Sequence, residues 1–368
     1  MKTLTILLAG FFSLAAVTLQ AEPEPVRFAI VGLVHDHARG FIPMASARKD
    51  IRLVAIVEPN RELAARYARD YRLPDTLFHT SLEEMLDQVK PQAVAAFTST
   101  FDHRRVVEAC ATRGVHVMME KPLAVDMEHA RAIASAAKEG GIQVLVNFET
   151  TWYPANHEAY ALVHEQNAVG DLRKIVVRDG HQGPKEIGCS AEFLEWLTHP
   201  VLNGGGALTD FGCYGANLIT WLMKGERPTS VLAVTQQIKP EVYPHVDDEA
   251  TIVLTYPQAQ GIIQASWNWP FNRKDMDIYG RTGYVLVPDQ NSLRVRRAGG
   301  GESDATVPPL AVPENHPLSY LAAVVRGEIR STGLSSLEVN LIATELLDAA
   351  RESARTCRRV NLSADGGR

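Results

Sequence analysis

Hydrophobic and polar positions fall into two regimes along this chain. From about residue 26 to residue 148, short apolar runs alternate with stretches of helical spacing. Residues 27–32 form a continuous apolar run closing on Gly32, the pattern of a strand buried on both faces. Runs at 53–57, 93–97, 115–119 and 143–148 read the same way. Helical spacing fills 61–71, 104–113 and 127–139. Strand–helix alternation of this kind predicts a doubly wound parallel sheet, whose ligands bind at the carboxyl ends of the strands.

Beyond Phe148 the pattern changes. A helix from Pro154 to about Gln166 leads into longer strand candidates at 173–178, 230–237, 249–256, 261–267, 274–279 and 283–288. One helix is expected near 216–222 and an amphipathic one over 335–356. Residues 297–313, rich in Gly, Pro and Ser, read as a surface loop. The second half is therefore expected to be an α+β domain on a largely antiparallel sheet.

The start of the chain fits neither regime. Lys2 precedes an apolar run from Leu4 to Leu19, short of the roughly 20 residues of a membrane span. Leu19-Gln20-Ala21 offers a small-residue cleavage site, and Glu22-Pro23-Glu24-Pro25 follows. This reads as a secretory signal peptide over 1–21. The expected organisation is then 1–21 signal, 22–150 nucleotide domain and 151–368 substrate and oligomerisation domain. An exported, periplasmic or secreted product without stable membrane insertion follows.

With 368 residues, 46% hydrophobic and 22% charged, the chain has enough apolar content for packed cores. Its formal charge of −6 comes without a Lys/Arg cluster, so it has no footprint for nucleic acid. Cys110, Cys189, Cys213 and Cys357 are scattered, without the spacing of a structural zinc site. Their pairing is not fixed by the sequence.

Candidate chemistry gathers at strand ends. Gly32-Leu33-Val34-His35-Asp36-His37 stands where a dinucleotide fold carries G-x-G-x-x-G, with only the first glycine present. Glu58, closing the second strand, is placed to accept hydrogen bonds from an adenosine ribose and to repel a 2′-phosphate, favouring NAD over NADP. His35 and His37 have the alternation of a chelating pair, but no third ligand is evident and no metal is expected. Glu120-Lys121-Pro122 follows the fourth strand run, where a Lys can stabilise negative charge on an oxygen. Three glycines, Gly204 to Gly206, let backbone approach something closely. Just after them Asp210, Tyr214 and Asn217 share one face if the segment is helical. A nearby Lys could lower the Tyr214 pKa enough for proton relay.

Taken together, these residues resemble the glucose–fructose oxidoreductase / inositol dehydrogenase / rhizopine-catabolism (Gfo/Idh/MocA) family over about residues 26–356. The Glu120-Lys121-Pro122 turn and the glycine-rich Asp-x-Gly segment are its most specific marks. Thr98-Ser99-Thr100-Phe101-Asp102-His103 is similar to the family's cofactor-lining strand-end loop. The resemblance implies an N-terminal Rossmann domain, a C-terminal open-faced sheet, and dimers or tetramers formed through that sheet. It also implies hydride exchange between NAD(P) and a sugar or polyol. Lys121 would bind the reacting oxygen, Asp210 would orient it, and Tyr214 would stand where a catalytic His is usual. Gly32, Leu33, Val34, Glu58, Thr98, His103, Glu120 and Lys121 would line the cofactor, and Trp152, His181 and Asn217 the substrate. Val34 and His37 depart from the fingerprint, and Thr150 and Thr151 replace a pair that is often basic.

Three activities remain open at this level. The first is an NAD-dependent oxidoreductase of carbohydrate hydroxyls, holding its cofactor tightly because free NAD is scarce outside the cytoplasm. The second is a redox-neutral NAD-dependent glycosidase acting by oxidation and elimination. The third is a sugar-binding relative that has lost the nucleotide.

Overall fold

A computed structural model describes residues 24–363, so the expected signal peptide lies outside the described residues. The first sheet runs through β1 (Val26–Val31), α1 (Ala38–Ser46), β2 (Ile51–Val57), α2 (Arg61–Tyr71), β3 (Phe78–His79), α3 (Leu82–Val89), β4 (Ala93–Ala96), α4 (His103–Ala111), β5 (His116–Glu120), α5 (Met127–Gly140) and β6 (Val144–Asn147). Its order is β3-β2-β1-β4-β5-β6, with every pairing parallel. The order reverses beside β1, opening a crevice between the carboxyl ends of β1 and β4. Residues 93–96 are buried throughout, as an unbroken apolar run requires.

The sequence pattern predicts five of these six strands. It misses the two-residue β3, and also α1 and α3. Gly40 and Pro43 lie inside α1 and disguise its spacing, while buried Phe41, Ile42 and Ala45 hold it against the sheet.

The chain continues through α6 (Pro154–Tyr160), β7 (Leu172–Gly180), α7 (Ala191–Leu197), α8 (Ala207–Asp210), α9 (Gly212–Leu222), β8 (Ser230–Gln236), β9 (Glu249–Thr255), β10 (Gln260–Ser266), β11 (Arg273–Gly280), β12 (Tyr284–Val287), β13 (Arg294–Arg296), β14 (Glu302–Asp304), α10 (Pro317–Val325), α11 (Leu337–Thr356) and β15 (Val360–Asn361). A nine-stranded sheet forms in the order β14-β13-β12-β11-β7-β10-β9-β8-β15. It is antiparallel except where β10 runs parallel to β7. The stretch expected to be a loop at 297–313 contains β14, which pairs with β13 at the sheet edge.

One face of this sheet is covered. Ile175, Val177, Ile252, Leu254, Ile263, Met276 and Ile278 are buried, and α9 and α11 pack over that side. Among the described residues no helix is long and apolar enough to cross a membrane. Cys110 and Cys213 are buried free thiols, which burial pushes up to about 12.

Candidate active site

Two sets of residues meet at the crevice. On the nucleotide side, Gly32 turns the chain at φ +81°, and a Cβ there would come within 2.7 Å of Thr98 Cγ2. The next amide, Leu33 N–H, donates to Glu58 Oε2 at 2.8 Å, and Asn60 N–H donates to Glu58 Oε1 at 2.8 Å. Glu58 is buried, which raises its pKa against those two amide bonds. Thr98 stands across from the turn, and its hydroxyl donates to the Ser99 carbonyl at 3.0 Å.

The Lys121 turn is braced from several directions. His103 Nδ1–H donates to the carbonyls of Pro122 (3.1 Å) and Leu123 (3.3 Å). Glu120 receives His37 Nδ1 at 2.9 Å on one oxygen and Asn147 Nδ2 at 2.9 Å on the other. Burial would raise the pKa of Glu120, but His37, Asn147 and Lys121 together hold it low and the group ionised. Asn147 in turn accepts from Trp152 Nε1 at 2.9 Å.

Lys121 is only 7% exposed and reaches across to the second set. Its ammonium is ion-paired with Asp210 Oδ1 and donates to the Asp210 carbonyl at 3.1 Å. The other Asp210 oxygen accepts from Trp267 Nε1 at 2.9 Å. Lys121 Nζ also lies 5.2 Å from the centroid of the Tyr214 ring. Burial opposes the Lys121 charge, but Asp210 outweighs it and the pKa is raised. The Asp210 pKa is lowered by the same contact.

Tyr214 departs from expectation. Burial drives its pKa well above the usual phenol value, and Glu149, Cys213, Asp210 and Glu120 add to the rise. The lysines do not win, so Tyr214 is a neutral phenol. Beside it His181 lines an open cleft of about 880 Å³ with Glu149, Tyr153, Phe211 and Lys274. Burial lowers the His181 pKa to about 4, so its imidazole is neutral at pH 7.

Two expected substrate residues lie elsewhere. Asn217 is fully buried and donates to Leu334 O at 2.8 Å and Asn340 Oδ1 at 3.1 Å, tying α9 to α11. The chain breaks at Phe211 between α8 and α9, so Asp210 and Asn217 do not share a face. Trp152 packs on Tyr320 and lines a separate cavity with His157 and Trp221. The three glycines allow close approach within the protein itself. Gly204 lies on the Val125 backbone and Gly206 on that of Asp247, whose carboxylate takes Gly206 N–H (3.0 Å) and Leu208 N–H (2.7 Å).

The fold brings Glu120 to His35 and His37 as a third potential ligand, one ligand atom of each lying within 4.8 Å of the others. Part of this group is committed to hydrogen bonds, while His35 Nε2 is buried without a partner among the described residues. His37 already donates to Glu120, and His35 Nδ1 accepts His37 N–H at 3.2 Å. Sequence reasoning marks His37 only as a possible chelator and a departure from the fingerprint, not as the partner of Glu120, and it misses Asn147, Trp267 and Lys274. Only strand-end position marks Asn147 and Trp267 in the sequence.

Residues 26–148 match the GFO/IDH/MocA oxidoreductase family with its NAD-binding Rossmann fold, and residues 157–286 match the GFO/IDH/MocA C-terminal domain. The chain belongs to this family. It is an NAD-binding oxidoreductase of the kind that acts on CH–OH groups.

Among curated proteins it is 25% identical over 313 residues to trans-1,2-dihydrobenzene-1,2-diol dehydrogenase of Xenopus tropicalis, covering 82% of this chain and 89% of the relative. The Xenopus laevis protein of that name is 27% identical, covering 82% and 90%. The same fold is found in the aldose-aldose oxidoreductase of Caulobacter crescentus complexed with glycerol. Its TM-score is 0.78 at 24% identity, over 92% of this chain and 100% of that one. An inositol dehydrogenase homologue of Azotobacter vinelandii with NAD⁺ gives a TM-score of 0.78 at 18% identity, over 92% and 97%.

The nucleotide side fits NAD despite Val34 and His37. Gly32 keeps the tight turn, Glu58 is fixed at the end of β2, and His37 secures Glu120. The Val34 carbonyl is occupied by Trp196 Nε1 at 3.3 Å.

Proposed function

We propose that this protein interconverts a neutral carbohydrate or polyol hydroxyl and the corresponding carbonyl with tightly held NAD. The observation that carries the reading is the buried Lys121–Asp210 pair beside Tyr214, at the carboxyl end of β5 and 5.7 Å from the ring of Phe211, which lines the cleft. Glu58 would hold the adenosine ribose and Glu120 the nicotinamide ribose. When bound, NAD supplies the hydride acceptor or donor.

The chain's own residues handle the oxygen. Lys121, kept charged by Asp210, stabilises negative charge on the reacting oxygen in a water-poor site. Tyr214 offers its phenol proton to the same oxygen. Because both pKa values are raised, the protonated pair suits carbonyl reduction, and oxidation requires one group to lose its proton first.

Charge balance favours a neutral substrate. Around the cleft Arg178 pairs with Asp275 and Asp277, Arg273 with Asp275, Arg294 with Glu302 and Lys274 with Glu149. The relatives named for dihydrodiols and aldoses agree with such a substrate.

The apolar run before Ala21 supports export, and export supports a cofactor retained through alternating oxidation and reduction. Leu232 and Val234, exposed on β8, support seating of a second copy on the outer sheet face. Replacing Lys121 by Ala tests the reading. Turnover of aldoses should be abolished while the melting curve stays cooperative, and retained turnover would remove Lys121 from the mechanism.

A further inference from the structure

The covered face of the second sheet carries another cation at the cleft. β7 and β11 are antiparallel, so residues directly opposite one another project from the same face. The pairs Ile175–Ile278 and Val177–Met276 are buried on the inner face. One step further along, Asp179 and Lys274 are opposite each other and project inward as well. Arg178 takes the other face, bonded to Asp275 (2.9 Å) and Asp277 (2.7 Å).

Lys274 Nζ reaches to 4.9 Å from the centroid of the Tyr214 ring, and Lys121 Nζ is 5.2 Å from the same centroid. Both ammonium groups therefore lie against the same phenol ring. Lys274 is ion-paired with one oxygen of Glu149, and the Tyr153 hydroxyl donates to the other. All three side chains line the cleft with His181.

A structural ion pair would not need this position. Glu149 takes one of the three ammonium donors. Asp179, 1% exposed and with one carboxyl oxygen lacking a partner among the described residues, stands behind. Burial raises its pKa well above the usual carboxylate value, against the pull of the Lys274 ammonium. Lys274 thus keeps donor capacity toward the cleft, and Glu149 can accept from a hydroxyl there.

We propose that Lys274, held by Glu149, binds the hydroxyl adjacent to the one gripped by Lys121, so that the site selects neutral vicinal diols. The inference rests on the proposed oxidoreductase activity and deepens it. Lys121 addresses the reacting oxygen, and Lys274 with Glu149 addresses its neighbour. A substrate lacking that neighbour leaves a cation facing the cleft without its partner.

The test compares an aldose with its 2-deoxy analogue on the purified full-length holoenzyme and on Lys274→Met. A hydrogen bond to a charged group corresponds to roughly 10–100-fold, so the wild type should prefer the aldose by about that factor in kcat/KM. In Lys274→Met the ratio should collapse toward unity, chiefly through KM for the aldose. Lys274→Arg should restore part of it. A variant that keeps the wild-type ratio, or that depresses both substrates equally, overturns the proposal. If the wild type turns over neither sugar, the oxidoreductase reading fails and the proposal fails with it.

Discussion

Lys121 and Asp210 meet twice, the ammonium holding both the carboxylate and the backbone carbonyl of the same residue. The second fixes the first: Asp210 cannot rotate away while its carbonyl and its Trp267 contact are kept. Truncating Asp210 to Ala leaves a buried, unpaired ammonium. Loss of one partner from such a pair costs about 3–5 kcal/mol. Asp210→Ala should therefore lower the denaturation midpoint, and it should also release the Lys121 pKa downward. Chemical denaturation together with a pH–rate profile checks both.

The raised pKa values of Lys121 and Tyr214 set the sign of the pH dependence. Sugar oxidation, which requires a deprotonated acceptor, should accelerate with rising pH through the alkaline range without a plateau near neutrality. Carbonyl reduction should be flat there. Single-turnover rates in each direction measure this, and an oxidation rate independent of pH above neutrality would contradict it.

Stability should have its own acid limb. His103 is buried, and burial lowers its pKa from 6.5 to about 4, so the folded protein keeps it neutral. Below pH 6.5 the unfolded chain binds a proton that the folded chain refuses, so stability falls as pH drops toward 4. The lowered pKa corresponds to about 3 kcal/mol at full extent. His103→Gln should flatten that limb in melts run across this window.

Glu58 ties the turn at Leu33 to the end of β2, its carboxylate accepting hydrogen bonds from the Leu33 and Asn60 amides. Glu58→Ala should weaken NAD binding by roughly 10–100-fold, the scale of a charged hydrogen bond. It should also narrow any preference for NAD over NADP, measurable by titration of nucleotide-free protein with each.

Asn217 was expected in the substrate site and belongs to the core. Asn217→Ala removes donors to Leu334 and Asn340; Leu334 O keeps Asn340 Nδ2, but the buried Asn340 Oδ1 loses its donor, costing about 1–3 kcal/mol. KM should not move. A change in KM without loss of stability would return Asn217 to the site.

The misreading has a physical cause. Every residue of α9 except Trp221 is buried, so no solvent face marks which polar side chains point where. The first sheet was legible because its inner strands are buried on both faces and read as unbroken apolar runs. Lys121 was legible because its strand, turn and proline are contiguous. Lys274, Trp267 and Asn147 reach the site through strand register, which no local window contains. The Tyr214 pKa is not legible in the sequence for a related reason: Lys121 is visible there, but the burial of the phenol and the carboxylates around it are not.

The central claim is an NAD-holding oxidoreductase whose chemistry runs through Lys121. Its most direct measurement mixes purified holoenzyme with excess neutral aldose and follows the absorbance of reduced nicotinamide, after the nucleotide released by denaturation has been identified by mass. The account predicts co-purifying NAD and a single burst of reduction, absent in Lys121→Ala. Protein that carries no nucleotide, binds no added NAD and gives no burst would contradict it.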